Sequence, residues 1–198
     1  KDFFNQRKVW CAASTHDDEE IFCVKTHLEI KKIFGNVLTI IVPRHINRIE
    51  QIFNSIKKYN LNTQIIGEND IINKNSELLL INSFGTLSKY YGYCKSVFIG
   101  KSFLKKFEHS GGQNPIEAAV LNCKIYHGPY INNFKEVYEF LFNMKISKQI
   151  NDFKDLSLNL IDDFNNPQTL KGDEANKIES HGKEILKETM KEFKKFLR

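Results

Sequence analysis

The four cysteines of this sequence form no CxxC pair and none of the spacings typical of a metal site. Each stands in an apolar or helical context, so we expect small reduced core residues of a cytosolic protein. They are Cys11, Cys23, Cys94 and Cys123. Apolar runs long enough to cross a bilayer are also missing from the sequence. These absences exclude a disulfide framework, a cysteine-held metal and a transmembrane segment.

The common catalytic fingerprints are missing as well. There is no Walker A sequence, no Gly-x-Gly-x-x-Gly after the first predicted strand, and no Gly-x-Ser-x-Gly elbow. No two histidines lie four residues apart on one predicted helix, although His16, His45, His109 and His127 occur in the chain. We therefore expect neither a metal site nor a serine hydrolase. A net charge of +5 fits an anionic ligand or membrane surface but is too weak to indicate nucleic acid.

Short apolar runs alternate with helical patterns along most of the chain. This order predicts a doubly wound, mostly parallel, Rossmann-like α/β sheet. The predicted strands are residues 8–13, 38–42, 63–66, 78–81, 96–99, 124–126 and 147–150. The predicted helices are residues 18–34, 47–59, 86–91, 115–121 and 134–144. Asp17 is interpreted as the N-cap of the first of these helices, with Glu20 completing a capping box and Gly35 ending the helix.

The last part of the chain has a different pattern. Asn165, Asn166 and Pro167 form a break, which divides the sequence into residues 1–165 and residues 166–198. Residues 173–197 predict a long amphipathic helix with Leu186, Met190, Phe193 and Leu197 in one stripe. We expect it to pack on this domain or on a missing N-terminal domain, with a membrane-surface role as the alternative. Because the chain begins at Lys1 and enters a strand almost at once, we expect a fragment of a larger protein.

A glycine loop leading into a helix stands out late in the alternation. Gly111 and Gly112 allow close approach of the backbone to a ligand, and Asn114 and Pro115 suit the N-cap and first helical positions. The free N–H groups of such a helix start favour a phosphate, and Glu117 in the first turn can accept a bond from a sugar hydroxyl. Its late position is unlike a dehydrogenase and like a sugar-nucleotide transferase. The alternative is an ordinary loop–helix junction.

Other polar segments follow the predicted strands and should converge on the same edge of the sheet. Arg44, beside Pro43, can form a bidentate pair with a phosphate or carboxylate, or a surface salt bridge. Ser14 and Thr15 can donate hydroxyls to an anion or cap the next helix.

Taken in order, several of these segments resemble the 3-deoxy-D-manno-octulosonic acid (Kdo) transferases of lipopolysaccharide synthesis. The resemblance covers about three quarters of the chain and rests on residues 9–16, 42–45, 85–87, 91–92, 111–117 and 128–129. It matches only the C-terminal half of such an enzyme, the donor-binding domain of a GT-B fold.

The resemblance implies a set of residues that bind CMP and CMP-Kdo. They are Pro43, Arg44, Gly85, Thr86, Leu87, Asn114, Pro115, Ile116 and Glu117, with further contacts from Ser14, Thr15, Gly112 and Gln113. Two positions differ from the family pattern, which usually has Glu where Thr86 stands and often has His where Gln113 stands. The loop over residues 101–110 is also longer and more basic.

The implied activity is an inverting, metal-independent transfer of Kdo from CMP-Kdo to a lipid A precursor, without a cofactor. The family's general base is a glutamate of the N-terminal domain, so no residue here is expected to be the base. This fragment alone is expected to be soluble and inactive. The resemblance places the full-length protein on the cytoplasmic face of the bacterial inner membrane, in peripheral contact with it.

Two other functions remain open from the sequence. One is the C-terminal half of another GT-B enzyme, such as a heptosyltransferase or a UDP-sugar epimerase. The other is a non-catalytic α/β interaction domain like a receiver module, which lacks support because the acidic run over residues 17–20 begins a helix and is better interpreted as helix capping.

Overall fold

A seven-stranded sheet forms the centre of the molecule. The computed structural model describes residues 2–167, 176–178 and 180. The strand order is β3-β4-β2-β1-β5-β6-β7, and every neighbouring pair is parallel. The strands are β1 Lys8–Thr15, β2 Val37–Pro43, β3 Thr63–Ile66, β4 Leu78–Ile81, β5 Ser96–Ile99, β6 Lys124–His127 and β7 Ser147–Gln149. The doubly wound parallel sheet predicted from the sequence is confirmed.

Helices cover both faces of this sheet, which explains why its strands are continuous apolar runs rather than alternating ones. The helices are α1 Asp2–Asn5, α2 Glu19–Lys31, α3 Ile49–Ile56, α4 Leu87–Tyr91, α5 Ile116–Val120, α6 Lys135–Asn143 and α7 Phe153–Asn165. Buried residues of α2, α3 and α7 pack with Trp10 and Phe98 on one face. Those of α4, α5 and α6 pack with Cys11 and Val97 on the other face.

The chain reverses its direction of winding between β1 and β5. From β1 it builds the sheet toward β3, and from β5 it builds toward β7. The helices that follow these two strands, α2 and α5, therefore lie on opposite faces. A crevice opens at such a switch point, at the carboxyl ends of the strands, and ligands of doubly wound sheets bind there.

Most predicted elements are present with small changes in their bounds. Strand β1 runs two residues beyond its predicted end, because Thr15 still pairs with Pro43 after an irregularity at Ser14. Helix α2 ends at Lys31, three residues before its predicted end. The predicted helix over residues 47–59 is α3 flanked by the 3-10 turns Ile46–Arg48 and Lys57–Tyr59.

Helix α7 was not assigned from the sequence. The carboxylate of Asp152 caps its start by accepting from the N–H groups of Lys154 and Asp155. Asp163 fixes its far end, since it accepts hydrogen bonds from Ser96 Oγ and Tyr126 OH, each at 2.6 Å. This bonding anchors α7 to strands β5 and β6.

The stripe predicted for the C-terminal helix lies outside the described residues, as do most of residues 173–197. Of the tail residues that are described, Ile178 is buried with the side chains on the α4–α6 face of the sheet. No helix within the described ranges has the length and apolar character needed to cross a bilayer. All four cysteines are free thiols and buried, as predicted.

One buried histidine carries a polar atom that the fold leaves unpaired. His27 of α2 is fully buried, with Nδ1 2.9 Å from Thr39 Oγ1. Its Nε2 atom has no hydrogen-bond partner within the described part of the chain. Burial lowers the pKa of His27 from 6.5 to about 4, because the charged ring is poorly solvated there.

His27 should make stability fall in mild acid. The unfolded chain takes up this proton near pH 6.5 and the folded chain near pH 4, so protonation favours unfolding within that window. We expect a loss of about 3 kcal/mol in the free energy of unfolding between these pH values. Urea unfolding of wild type and His27→Gln measures this, and the difference between the two proteins should shrink as pH falls.

The matched control is His109→Gln, which removes an exposed histidine. Its pH profile should follow that of wild type. A His27→Gln profile parallel to wild type throughout the window would contradict the assignment.

Candidate functional site

The loops after β1, β2, β4 and β5 meet at the carboxyl edge of the sheet. The loops after β1 and β5 border the switch-point crevice, and those after β2 and β4 lie next to them in strand order. Every residue predicted to bind the donor lies in or beside one of these loops or at the start of α5. The topology therefore brings together segments that are up to about 100 residues apart in sequence.

A buried carboxylate fastens the two loops of the crevice together. Glu19, fully buried at the start of α2, accepts hydrogen bonds from four backbone N–H groups. These are His16 at 3.0 Å in its own loop, and Lys101 at 2.7 Å, Ser102 at 3.0 Å and Phe103 at 3.1 Å in the loop after β5. Burial raises the pKa of Glu19, and the four N–H donors oppose that shift by stabilising the anion.

The glycine that follows β5 makes this approach feasible. A Cβ atom on Gly100 would lie 2.6 Å from Ser14 O and 2.8 Å from Glu19 Oε2. Any larger residue would therefore separate the loop after β1 from the loop after β5. The spacing His16-x-x-Glu19 and a glycine directly after a buried strand are the sequence signals that could have revealed the contact.

The predicted capping box is wrong in its residues. Asp17 has a positive φ of 43° and does not cap α2, and no side-chain cap bond is made by Asp18 either. It is Glu19 that reaches back to the His16 N–H, which is the capping-box bond, whereas Glu20 is engaged elsewhere. The sequence pattern is offset by one residue because Asp17 lies in a left-handed turn.

An ionic network connects the segments that follow β1, β2 and β5. It consists of Asp17, Glu20, Arg48 and Lys106. Arg48 donates to both Glu20 oxygens, Nη1 at 3.2 Å and Nη2 at 3.3 Å. Lys106 pairs with Asp17 and, mainly through that bond, lowers the pKa of the Asp17 carboxyl. Burial raises the pKa of Glu20, while Arg48 opposes the shift.

Thr15, which the sequence predicts to contact the ligand, is bonded to this network instead. Thr15 is fully buried, and its hydroxyl donates to Glu20 Oε1 at 2.9 Å. Its side chain is therefore part of the protein interior and not open to a ligand. Ser14, in contrast, is half-buried in a left-handed conformation with φ of 53°.

Arg44 stands apart from this network. It is exposed directly after buried Pro43, and its backbone N–H donates to Thr15 O at 3.0 Å. Among the described residues its guanidinium has no hydrogen-bond or ion-pair partner. An unpaired guanidinium at the carboxyl edge of the sheet is suited to a phosphate or carboxylate.

Two imidazoles lie beside Arg44. The rings of His16 and His45 are 5.4 Å apart in an edge-on arrangement. Burial lowers the pKa of His16, so this ring is neutral at physiological pH. No group of three or more metal-ligating side chains occurs within the described ranges.

The glycine loop leads into α5, but the helix begins one residue later than predicted, with Pro115 and not Asn114 at the N-cap. Asn114 Oδ1 accepts the N–H of Ile116 at 3.0 Å, and this bond fixes the turn before the helix. Gly112 has φ of 92°, and Gly111 packs so tightly that a Cβ would lie 2.4 Å from Tyr130 O. Glu117 is exposed, without a side-chain hydrogen bond to any described residue.

The remaining predicted segment begins α4. Gly85 has a positive φ of 69°, with open space where a Cβ would stand. The hydroxyl of Thr86 lies 2.9 Å from Ser83 Oγ, and Leu87 packs against the core. The structure therefore places this turn at the carboxyl edge, with its Thr86 side chain bonded to the preceding loop.

The parallel sheet, its switch point and the polar loops at its carboxyl edge define the class of the protein. It is a doubly wound α/β domain, an architecture whose ligands bind at that edge. No protein-family model matches the chain. It is 30% identical over 149 residues to the 3-deoxy-D-manno-octulosonic acid transferase of Haemophilus influenzae, a match covering 75% of this chain and 34% of that protein. The enzyme of the same name from Rickettsia prowazekii is 29% identical over 198 residues, covering 98% of this chain and 42% of that protein.

A solved structure shows the same fold. The C-terminal CMP-Kdo binding domain of WaaA from Acinetobacter baumannii superposes with a TM-score of 0.75 and 23% identity, covering 89% of this chain and 91% of that one. The chain is therefore a homologue of the 3-deoxy-D-manno-octulosonic acid transferases, and its fold is that of this C-terminal domain. It spans less than half the length of the curated relatives it matches.

Replacing Glu19 should loosen the crevice. Two backbone N–H groups now donate to one carboxylate oxygen of Glu19. In Glu19→Gln, the amide nitrogen would stand in place of such an oxygen, so these donors would face another donor. We expect the free energy of unfolding to fall by about 3 kcal/mol. Amide exchange at residues 101–103 should accelerate, which hydrogen exchange read by NMR would measure.

Glu117→Gln is the control, because it removes an exposed carboxylate from the same edge. Its stability and its exchange at residues 101–103 should match wild type. Protection of these amides in Glu19→Gln equal to wild type would show that the carboxylate does not hold the loop.

Proposed function

We propose that this chain is the donor-binding part of an inverting GT-B glycosyltransferase that transfers Kdo from CMP-Kdo to a lipid A precursor. Two lines of support agree. The curated relatives are Kdo transferases, and the domain with the same fold is described as binding CMP-Kdo. The observation that carries the proposal is the exposed guanidinium of Arg44, without a partner in the described part of the chain, at the switch-point edge.

Different predicted site residues would contact the phosphate, the sugar and the nucleoside of the donor. Arg44 and the N–H groups at the start of α5 would hold the phosphate of CMP, with Asn114 fixing that turn. Glu117 would accept a hydrogen bond from the sugar. Residues 85–87, one loop further along the edge, would border the nucleoside, with Gly112 and Gln113 as further contacts.

The chemistry follows from these roles. An acceptor hydroxyl attacks the anomeric carbon of Kdo while the bond to the CMP phosphate breaks, so negative charge develops on that phosphate. The permanent positive charge of Arg44 and the N–H groups at the start of α5 would stabilise the departing phosphate, because both favour the negative charge that develops there. No metal ion or cofactor takes part in this proposal.

The other parts of the reaction would lie outside this chain. The relatives are more than twice as long as the matched region, so an N-terminal domain would supply the general base and the acceptor site. The acceptor is a lipid, so the full-length protein would act at the cytoplasmic face of the inner membrane. We therefore expect this chain alone to bind the donor nucleotide without transferring the sugar.

The alternatives from the sequence predict different ligands. A heptosyltransferase or UDP-sugar epimerase half would prefer ADP or UDP groups. A receiver-like interaction domain would need its acidic run to be free for a cation. Three of the four carboxylates in that run are already engaged, since Glu19 accepts from backbone N–H groups, Glu20 pairs with Arg48 and Asp17 pairs with Lys106.

Nucleotide titration followed by NMR would test the proposal. We expect CMP to bind more tightly than UMP or AMP, with shifts at Arg44 and residues 114–117. Arg44→Ala should weaken CMP binding by about tenfold or more, because a charge-assisted bidentate bond is lost. Asn114→Ala should weaken it too, with a folding control because the hydrogen bond from the Ile116 N–H to Asn114 itself contributes about 1 kcal/mol.

The control is Lys32→Ala, which removes an exposed cation at the opposite edge of the sheet and should leave binding unchanged. The absence of a preference for CMP, or shifts confined to residues away from Arg44 and the start of α5, would overturn the proposal. Preference for ADP or UDP would favour the other enzyme halves.

A further inference from the structure

A second pocket opens beside the proposed donor site, between β6, α6 and β7. It is a cavity of about 430 Å³, within the size range of small-molecule sites. Its lining combines His127 at the end of β6, Glu139, Phe142 and Asn143 of α6, and Gln149 of β7. None of these five residues belongs to the predicted donor site.

The most informative member is His127, which is only 4% exposed. Its Nδ1 lies 2.7 Å from Gly128 O, and a carbonyl oxygen can only accept, so Nδ1 carries the proton. Burial lowers the pKa of His127, so the ring is neutral at physiological pH. Its Nε2 is then a lone-pair acceptor, and no residue in the described part of the chain donates to it.

The rest of the pocket offers an apolar surface next to amides. The ring of Phe142 is 63% exposed, which is unusual for so large an apolar side chain. The side-chain amides of Asn143 and Gln149 are exposed and make no hydrogen bond to a described residue. An aromatic ring flanked by planar amides suits a molecule with C–H groups on one side and hydroxyls at its rim.

The charge of the pocket limits the ligand further. Among the described residues that line the pocket, Glu139 is the one with a formal charge, and its ion-pair partner, Lys135, is 3.8 Å away at the exposed surface. No lysine or arginine of the described part of the chain lines the pocket. A phosphate or an acidic sugar would therefore meet a carboxylate without a compensating cation, whereas a neutral or amine-bearing ligand would not.

We propose that this pocket binds a neutral or amino sugar, with one hydroxyl donating to His127 Nε2 and the ring packing on Phe142. Asn143 and Gln149 hydrogen-bond the remaining hydroxyls, and Glu139 favours an amine over a carboxylate. The site is distinct from the CMP site by charge, and its existence does not depend on the proposed function.

The pocket is connected to the glycine loop through one tyrosine. Tyr138, whose ring lies 4.5 Å from that of His127, donates its hydroxyl to Gln113 O in the glycine loop. A sugar held at His127 is thus adjacent to the loop proposed to hold the donor phosphate.

Sugar titrations of the full 198-residue chain test the proposal. We expect glucose and glucosamine to cause saturable NMR shifts at residues 127, 142 and 149, with dissociation constants in the millimolar range. Glucuronate, which has the same ring with a carboxylate, should bind at least about fivefold more weakly. Glu139→Gln should weaken glucosamine more than glucose.

Two variants address the ring and the acceptor separately. Phe142→Ala removes an exposed ring, and His127→Asn keeps a donor for the Gly128 carbonyl while removing the Nε2 acceptor. Each should weaken glucose binding at least about fivefold, with unfolding curves recorded for both. The control is Leu158→Ala on α7, since Leu158 is 66% exposed and far from the pocket in the fold.

The outcomes separate this site from the CMP site. Saturable sugar binding lost in both variants, with CMP binding retained by Phe142→Ala, supports the pocket. Absence of saturable binding by either sugar, tighter binding of glucuronate, or unchanged binding in Phe142→Ala overturns it. Because CMP is titrated in the same samples, a chain that binds sugar but not CMP contradicts only the proposed function.

Discussion

The carboxyl edge of this domain depends on one buried carboxylate, that of Glu19. Two strands of a doubly wound sheet send their chains to opposite faces at the switch point, so nothing covalent holds the two loops together there. Glu19 supplies the link by accepting four backbone N–H groups, three of them from the loop after β5. Those donors are partly or fully buried, and leaving a buried donor such as the Ser102 N–H unpaired costs more than a typical hydrogen bond contributes.

Around this link, the edge separates charges that hold the structure from charges that are free. Glu20, Asp17, Arg48 and Lys106 neutralise one another and fix three loops relative to each other. Arg44 and Glu117 remain exposed on either side of the crevice, without side-chain partners in the described ranges. A ligand site needs this division, because a guanidinium already paired with a carboxylate would bind a phosphate poorly.

The same edge continues past the glycine loop toward β7. Along it, the side chains available to a ligand change from a cation, Arg44, to neutral groups around His127. Tyr138 connects the two regions through its bond to Gln113. On one side lies Arg44, suited to a phosphate, and on the other lies His127, a neutral acceptor beside an exposed phenyl ring. An anionic group and a neutral hydroxyl-bearing group would therefore be favoured at different places along this edge.

The sequence predicted the fold well because the relevant information is local. Runs such as residues 38–42 are buried on both faces, as a parallel strand covered by helices requires, and Asn114 with Pro115 specifies the turn that leads into α5. The helix itself begins one residue later than predicted, at Ile116. The order of such segments then sufficed to indicate the family. Helix α7 was not predicted, because it carries polar residues such as Asp163 whose partners lie on β5 and β6.

The sequence by itself thus determined the alternation, the edge at which polar loops gather and the glycine turn that begins α5. Only the tertiary structure decided the roles of the carboxylates in the run over residues 17–20, that is, which one accepts backbone N–H groups and which ones form ion pairs. Asp17 lies in a left-handed turn, where it contacts Lys106 and Arg48 from distant loops. It also decided that Thr15 is buried and that His127 faces a pocket. Burial and pairing between distant segments are properties of the packed chain, and no local pattern encodes them.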